Sequence, residues 1–249
     1  MKKLFIDIET APNVVYAWGL FNQNIDISQI AKPGYTLCWA AKWDHEKKVM
    51  FSSIRDGEKE MTEWAHEILS EADAVIHYNG IKFDIPKLNN EFLKYNMAPP
   101  ASYSQIDLLR TARSQFKLTS NKLDFVCQHL GIGAKIKHKG MQLWIDCMEG
   151  DEKAWREMER YNKQDVRLLP VLYERLLPWI KNHPNEGLYV DTDSPICVKC
   201  GSTELQRRGY GYTTTQRYPR FFCTSCHSWL MGRHSDVSRE DGKNILKAG

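Results

Sequence analysis

At 249 residues, with 42% apolar and 26% charged side chains, the chain can bury a core without disulfide staples. It lies too near the globular average for disorder, a collagen repeat or a coiled coil, and it is too short for a complete nucleic-acid polymerase. Its formal charge of +3 is C-terminal: residues 1–190 carry 25 basic and 25 acidic side chains, residues 191–249 carry 9 and 6. A neutral body with a basic appendage fits a body that does chemistry and a tail that meets an anion.

The apolar run Lys3–Ile8 predicts a buried opening strand. Asp7 and Glu9 break the apolar start before it can serve as a signal segment, and no apolar run approaches the roughly 18 residues of a membrane helix. A mature cytoplasmic N-terminus and no membrane partner are therefore expected, in a bacterial cell or a phage-infected host. Residues 11–34, with Pro12, Pro33 and Gly34, read as a long mixed connection. Tyr35–Trp43 and Lys48–Ser53 predict a strand pair across the polar turn Asp44–Lys47. Glu58–Ser70 has helical spacing, with Met61, Trp64, Ala65, Ile68 and Leu69 on one side. Ala74–Tyr78 is a short strand, a helix opens near Ile85 with Pro86 in its first turn, and Tyr103–Ile106 is a last strand. Helical patterns then fill 107–117, 121–131 and 152–181, with a kink expected at Pro170. The expected division is a main domain over 1–182, a linker over 183–194, a cysteine module over 195–230 and a polar tail over 231–249.

Asp7-Ile8-Glu9 ends the first strand and delivers two acids to one face of a sheet. The bare pattern is cheap, since it recurs at Asp44/Glu46 and Asp56/Glu58, and solvated acids at a strand end are the plain alternative. Asn79-Gly80-Ile81-Lys82-Phe83-Asp84 follows the 74–78 strand and precedes a helix, so Asp84 also reads as a helix N-cap. Tyr161 and Asp165 stand four apart in the last long helix, on a face that continues inward through Leu168 and Leu172. An acid on an inward face needs a partner or a metal. This pattern too recurs, at Tyr103/Asp107 and Tyr189/Asp193, but only the copy at 161 lies on a long amphipathic helix.

The three motifs in this order resemble the DEDD superfamily of 3′–5′ exonucleases, in its tyrosine (DEDDy, DnaQ-like) form, over residues 1–180. The histidine form would place His five residues before Asp165, where this chain has Arg160. Ile106-Asp107-Leu108-Leu109-Arg110 through Leu123-Asp124-Phe125-Val126 is similar to the proofreading domain of family B DNA polymerases, and the opening Phe5–Asn13 to stand-alone phage exonucleases. The resemblance implies an α/β fold, a ribonuclease H-like mixed β-sheet flanked by helices. It implies that Asp7, Glu9, Asp84 and Asp165 hold two Mg²⁺ or Mn²⁺ ions, with Asp7 bridging both. It further implies that Tyr161 orients the attacking water and that Glu9 touches the terminal 3′-hydroxyl. Asn79, Phe83 and Asp107 are candidates to support these groups. Lys82 and the run Lys135–Lys139 are candidates to contact phosphates, a solvated loop being the leading reading of that run, and Trp18 and Phe21 are candidates to stack on a base.

Cys38, Cys127 and Cys147 stand alone among apolar neighbours and read as buried thiols. Cys197-x-x-Cys200 and Cys223-x-x-Cys226, with 22 residues between the pairs, have the spacing of one structural Zn²⁺ in a small C-terminal zinc ribbon with four cysteine ligands, His227 being a bystander. The intervening loop interleaves Arg207, Arg208, Arg217 and Arg220 with Tyr210 and Tyr212, which suits phosphate contact and base stacking; a solvated hairpin is the alternative. Four thiolates and Zn²⁺ would lower the net charge to +1, so attraction to nucleic acid would come locally from the arginines. The expectation is a metal-dependent 3′–5′ exonuclease on single-stranded or frayed DNA. RNA stays open, and a replication or repair partner is conceivable. The rivals are a structure-specific endonuclease of the same fold and a non-catalytic nucleic-acid-binding protein.

Overall fold

The computed structural model describes residues 1–238 and 240–246; the remainder of the expected polar tail, Arg239 and 247–249, lies outside the described residues. The chain divides into two compact units, Lys2–Tyr173 and, together with Met1, Glu174–Gly249. Among the described residues no helix is long and apolar enough to cross a membrane.

The first unit opens with strand β1 (Lys3–Thr10). The connection expected over 11–34 is not wholly irregular: β2 (Val14–Val15) and β3 (Ile30–Lys32) form a two-stranded ribbon. Alternation is too short there to register as strand. Next come β4 (Thr36–Trp43), β5 (Met50–Ser53), helix α1 (Glu58–Glu71), β6 (Ala74–His77), α2 (Asp84–Lys94) and β7 (Ser104–Asp107). Helices α3 (Leu108–Gln115), α4 (Leu123–His129), α5 (Met141–Met148) and α6 (Glu152–Leu176) complete the set, α6 crossing from the first unit into the second. Pro170 stands inside α6, which continues through it. Trp64, expected on the buried side of α1, is 38% exposed at its edge, where its ring meets Trp39 edge-on at 4.8 Å.

The strands form one mixed sheet in the order β5-β4-β1-β6-β7, antiparallel on the β5-β4-β1 side and parallel on the β1-β6-β7 side. The period-2 alternation of β1 sends Leu4, Ile6 and Ile8 into a core with α1 and α2. Phe5, Asp7 and Glu9 take the opposite face; there Phe5 meets Tyr173 of α6, and α5 and α6 cover Leu37 and Cys38 of β4. A helix-covered central strand thus carries two carboxylates on one face, among apolar neighbours.

In the second unit, β8 (Leu205–Tyr212), β9 (Arg217–Cys223) and β10 (Trp229–Met231) make an antiparallel three-stranded sheet. The segment expected as a linker includes a short 3-10 turn at Glu186–Tyr189, whose first N–H donates to the Val198 carbonyl at 2.8 Å.

Candidate active site

Asp7 and Glu9 of β1 meet Asp165 of α6, with one carboxylate oxygen from each lying within 4.8 Å of the others. Asp84 approaches from the start of α2. Phe83, not Asp84, is the N-cap of α2, so the capping role expected for Asp84 does not hold. Its Oδ1 instead accepts the backbone N–H of Ile8 at 3.0 Å, tying the second acidic motif to the first.

The loop before α2 explains how Asp84 arrives there. Asn79 adopts φ +74°, a left-handed conformation that Asn tolerates, and its N–H donates to Asp107 Oδ1 at 3.0 Å. At Gly80 a Cβ would fall 2.3 Å from the His77 ring, so only glycine fits. Gly80 N–H donates to His77 Nδ1, which leaves Nε2–H facing Gln105 Oε1. Burial keeps His77 below its ordinary pKa against the pull of Asp107, so the imidazole is neutral. Asp107 also caps α3 through Leu109 N–H and Arg110 N–H. Asn79 and Asp107 thus support the loop without joining the acid cluster, while Phe83 is 38% exposed beside Asp84.

These acids share a desolvated space, and all four titrate above the ordinary carboxylate range. Burial and then the neighbouring Asp84, Asp165 and Glu9 raise Asp7 far above it. Burial lifts Glu9 to about 8 against the opposing charge of Lys135. Burial lifts Asp84 to about 7 against the Ile8 hydrogen bond, and raises Asp165 despite Lys135. Like charges this close need a counter-charge.

Lys135 supplies part of it, and here the expected solvated run gives way to a partly buried role. Its Nζ lies 2.5 Å from Asp165 Oδ2 and donates to Tyr161 Oη at 2.9 Å. Burial would lower its pKa, but Asp165, Tyr161 and Asp7 together more than offset that, so it stays an ammonium. Tyr161 is buried and its pKa is raised, by desolvation and then by Asp165, so it stays a phenol.

Two further residues emerged only in three dimensions. Asn162, fully buried in α6, donates from Nδ2 to Asp7 Oδ2 at 2.7 Å and so fixes that carboxylate. Trp144 of α5 hydrogen-bonds Glu9 and packs, with His138, against the Tyr161 ring. Asn162 had a sequence signal: it stands in an inward row with Met158, Val166 and Leu169, where a lone amide needs a partner. Trp144 had none, because Met141–Met148 is only eight residues long, too short for its polar pair Gln142 and Asp146 to mark a helix face in the sequence. Trp18 and Phe21 lie on the surface, 98% and 82% exposed.

The acid cluster fits a divalent cation. Both oxygens of Asp165 are buried and neither accepts a well-formed hydrogen bond; the Lys135 ammonium is the charge that faces them. Buried oxygens in a set of carboxylates, with a single ammonium against them, are the ligand chemistry of a hard ion.

The four cysteines of the second unit form a different cluster, with all four Sγ atoms within 4.8 Å of one another. Cys197 and Cys226 lie 3.5 Å apart through sulfur, Cys200 and Cys223 3.7 Å. A tetrahedron of metal–sulfur bonds of about 2.3 Å has edges of about 3.8 Å, so the spacing suits one closed ion. The two Cys-x-x-Cys turns are built alike. Cys197 N–H donates to Ser202 O and Cys223 N–H to Ser228 O, and a left-handed residue follows each pair, Gly201 at φ +71° and His227 at φ +61°. His227 therefore turns the backbone. Burial would raise the Cys223 thiol, but backbone N–H groups of Cys226 and Ser225 bring it down to about 7. Burial leaves Cys197 raised, to about 11.

On the hairpin beyond, the four arginines lie over aromatic rings. Arg207 and Arg217 flank Tyr210 at 5.4 and 4.5 Å, Arg208 covers Phe222 at 4.7 Å and Arg220 covers Trp229 at 4.7 Å. Arg207 also pairs with Asp236 at 3.3 Å, and Tyr212 is exposed.

A mixed five-stranded sheet flanked by helices, with acids from its central strand and its last long helix, defines the ribonuclease H-like class of α/β proteins. Residues 4–177 match the family model of the RNase_H superfamily, and the chain belongs to that superfamily. No curated protein matches it in sequence. Among solved structures it is similar to a family B DNA polymerase from the hyperthermophilic archaeon Pyrobaculum calidifontis, with TM-score 0.53 and 17% identity. The match covers 71% of this chain and 24% of that polymerase.

Proposed function

We propose that the protein is a divalent-metal-dependent nuclease of the DEDDy type that removes nucleotides from the 3′ end of single-stranded or frayed DNA and releases nucleoside 5′-monophosphates. The observation that carries this reading is the meeting of Asp7, Glu9 and Asp165, one carboxylate oxygen from each within 4.8 Å of the others, with Asp84 tied in through Ile8. Asp7, Glu9, Asp84 and Asp165 would hold two Mg²⁺ or Mn²⁺ ions. Bound there, such ions would make a bound water more acidic than bulk water and would stabilise the leaving 3′-oxygen.

The residues of the chain do the rest. Asn162 holds the Asp7 carboxylate in one rotamer. Tyr161, a phenol at neutral pH, can orient a water by hydrogen bonding but is no base. The Lys135 ammonium is placed to meet charge that develops beside Asp165. Glu9, steadied by Trp144, is the group offered to the terminal 3′-hydroxyl. In the second unit we propose one structural Zn²⁺ on Cys197, Cys200, Cys223 and Cys226. The arginine–aromatic hairpin would then contact phosphates and bases through Arg207, Arg208, Tyr210, Tyr212, Arg217 and Arg220.

The test is a denaturing gel of a 5′-labelled single-stranded DNA oligonucleotide in Mg²⁺, comparing wild type with Asp7→Ala. A ladder shortening from the 3′ end, slowed on the order of a thousandfold or more in the variant, is expected. An intact oligonucleotide with both proteins would overturn the reading. Cutting of a circular single strand would replace it with an endonuclease.

A further inference from the structure

Three cations of the first unit line a cavity beside the loop that delivers Asp84. The cavity is about 430 Å³ and is lined by Lys82 of that loop, by Arg110 and Arg113 of α3, and by Asn79, Asp107 and Ser114 among others. Arg110 and Arg113 stand three apart on a helix and so share a face. Among the described residues none of the three cations has a carboxylate partner within ion-pairing distance. The one acid in the lining, Asp107, is committed elsewhere. Its Oδ1 accepts three backbone N–H groups, those of Asn79, Leu109 and Arg110, and its Oδ2 faces the neutral His77 ring at 3.9 Å.

Two guanidinium groups and an ammonium held around one hollow repel one another unless an anion enters. Guanidinium geometry favours a phosphate, which it can bind through two parallel hydrogen bonds. The volume falls in the range of a small-ligand site and admits a phosphate with its sugar. Lys82 precedes Asp84 by two residues, a span of at most about 7 Å of backbone. A strand with a phosphate at the carboxylates therefore has neighbouring phosphates within reach of the cavity.

We propose that the hollow between Lys82, Arg110 and Arg113 is a phosphate-binding subsite, distinct from the carboxylate cluster, that holds the sugar–phosphate backbone of the substrate strand. The proposal rests on the nucleic-acid reading above and adds where the strand is gripped. The same chemistry would accept the phosphate of a released mononucleotide, so the experiment has an arm for each source.

The full-length, zinc-loaded protein is titrated with a fluorescent single-stranded DNA oligonucleotide without added Mg²⁺ or Mn²⁺ and without chelator, where intact probe is confirmed on a gel, over a series of salt concentrations. Wild type is compared with Arg110→Gln/Arg113→Gln and with Arg110→Lys/Arg113→Lys. Removal of one phosphate-neutralising cation should flatten the slope of log K against log salt by roughly 0.7. The Gln pair should therefore show a slope flatter by about 0.7 to 1.4 and bind several-fold more weakly at low salt, while the Lys pair recovers most of the slope. A second double variant, Lys47→Gln/Lys48→Gln in the exposed turn before β5, removes the same charge elsewhere and should move the slope less. Calorimetry with deoxyadenosine monophosphate is the other arm. Binding that the Gln pair abolishes, with an unchanged oligonucleotide slope, would assign the site to the free nucleotide. The subsite is overturned if the folded Gln pair matches wild type in both arms, if the turn variant flattens the slope as much, or if wild type binds neither probe. Wild type that binds the oligonucleotide but does not cut it in Mg²⁺ would instead overturn the nuclease reading.

Discussion

The acid cluster and the cysteine cluster of this chain reach metal-binding geometry by opposite routes. Asp7, Glu9, Asp84 and Asp165 come from a first strand, a mid-chain helix and the last long helix, and only the sheet and α6 bring them together. The four cysteines come from two short turns of one small module, each stabilised by its own backbone hydrogen bonds and a left-handed residue. The acids are charged in water and repel when gathered, so they rely on Lys135 and on whatever cation enters. The thiols are neutral until they give up protons, so the module can assemble its sulfurs without strain and gain charge on binding. Burial therefore acts on the two clusters differently. It makes the acid site an unstable ground state that a hard ion relieves, while the thiol site waits for a soft one.

The largest expected effect breaks the second cluster and spares the first. Cys223→Ser removes a thiolate ligand from a module that lacks a sizeable core, and zinc-bearing folds of this size commonly depend on their metal for roughly 10 kcal/mol or more. The variant should release zinc, measured with a chromophoric chelator, and lose the hairpin's protection from proteolysis. The Lys2–Tyr173 unit should keep its helical circular dichroism. Loss of that signal as well would show that the two clusters are not independent.

A pH series sharpens the other side. In the metal-free protein Glu9 holds its proton up to about pH 8 and Asp84 up to about 7, whereas in an unfolded chain they titrate near 4.5 and 3.8. The folded state therefore binds more protons between these limits, and its stability falls as pH rises from about 4 to 8. The loss should be on the order of a few kcal/mol, a drop of several degrees in Tm measured in EDTA. Excess Mg²⁺ should flatten the profile, and Glu9→Gln should reduce its slope. A stability that rises with pH in EDTA would show that the acids are not repelling one another.

The smallest effect concerns Asn162. Asn162→Ala frees the Asp7 carboxylate, and loss of such a supporting hydrogen bond should lower activity or metal affinity by about 10- to 100-fold. Comparing KM, kcat and the Mg²⁺ dependence separates a loosened ligand from a lost fold. An unchanged Mg²⁺ dependence would leave Asn162 a packing residue.

Most elements of the main sheet were legible because apolar runs of four to eight residues stand between turn residues. The acids were legible as an ordered set, and the cysteines by spacing alone. α5 was not, since at eight residues it is too short for its one polar pair, Gln142 and Asp146, to mark a face. Lys135 lies in a run of basic residues that looks solvated, and nothing in that run marks which side chain turns inward.

The sequence alone determined the alternation that puts Asp7 and Glu9 on one face of a strand, and the helical spacing that puts Tyr161 and Asp165 on one face of α6. It also determined the paired turns that gather four sulfurs. All of these follow from local periods of two, of about 3.6, or of a fixed turn. Tertiary structure alone decided that Asp84 would bind Ile8 rather than cap its helix, that Lys135 would enter the acid cluster, that Asn162 would hold Asp7, and that Arg110 and Arg113 would face Lys82 across a hollow. Each of these joins residues far apart in the chain, set by which faces the packed sheet and helices turn toward one another, and no local period records it.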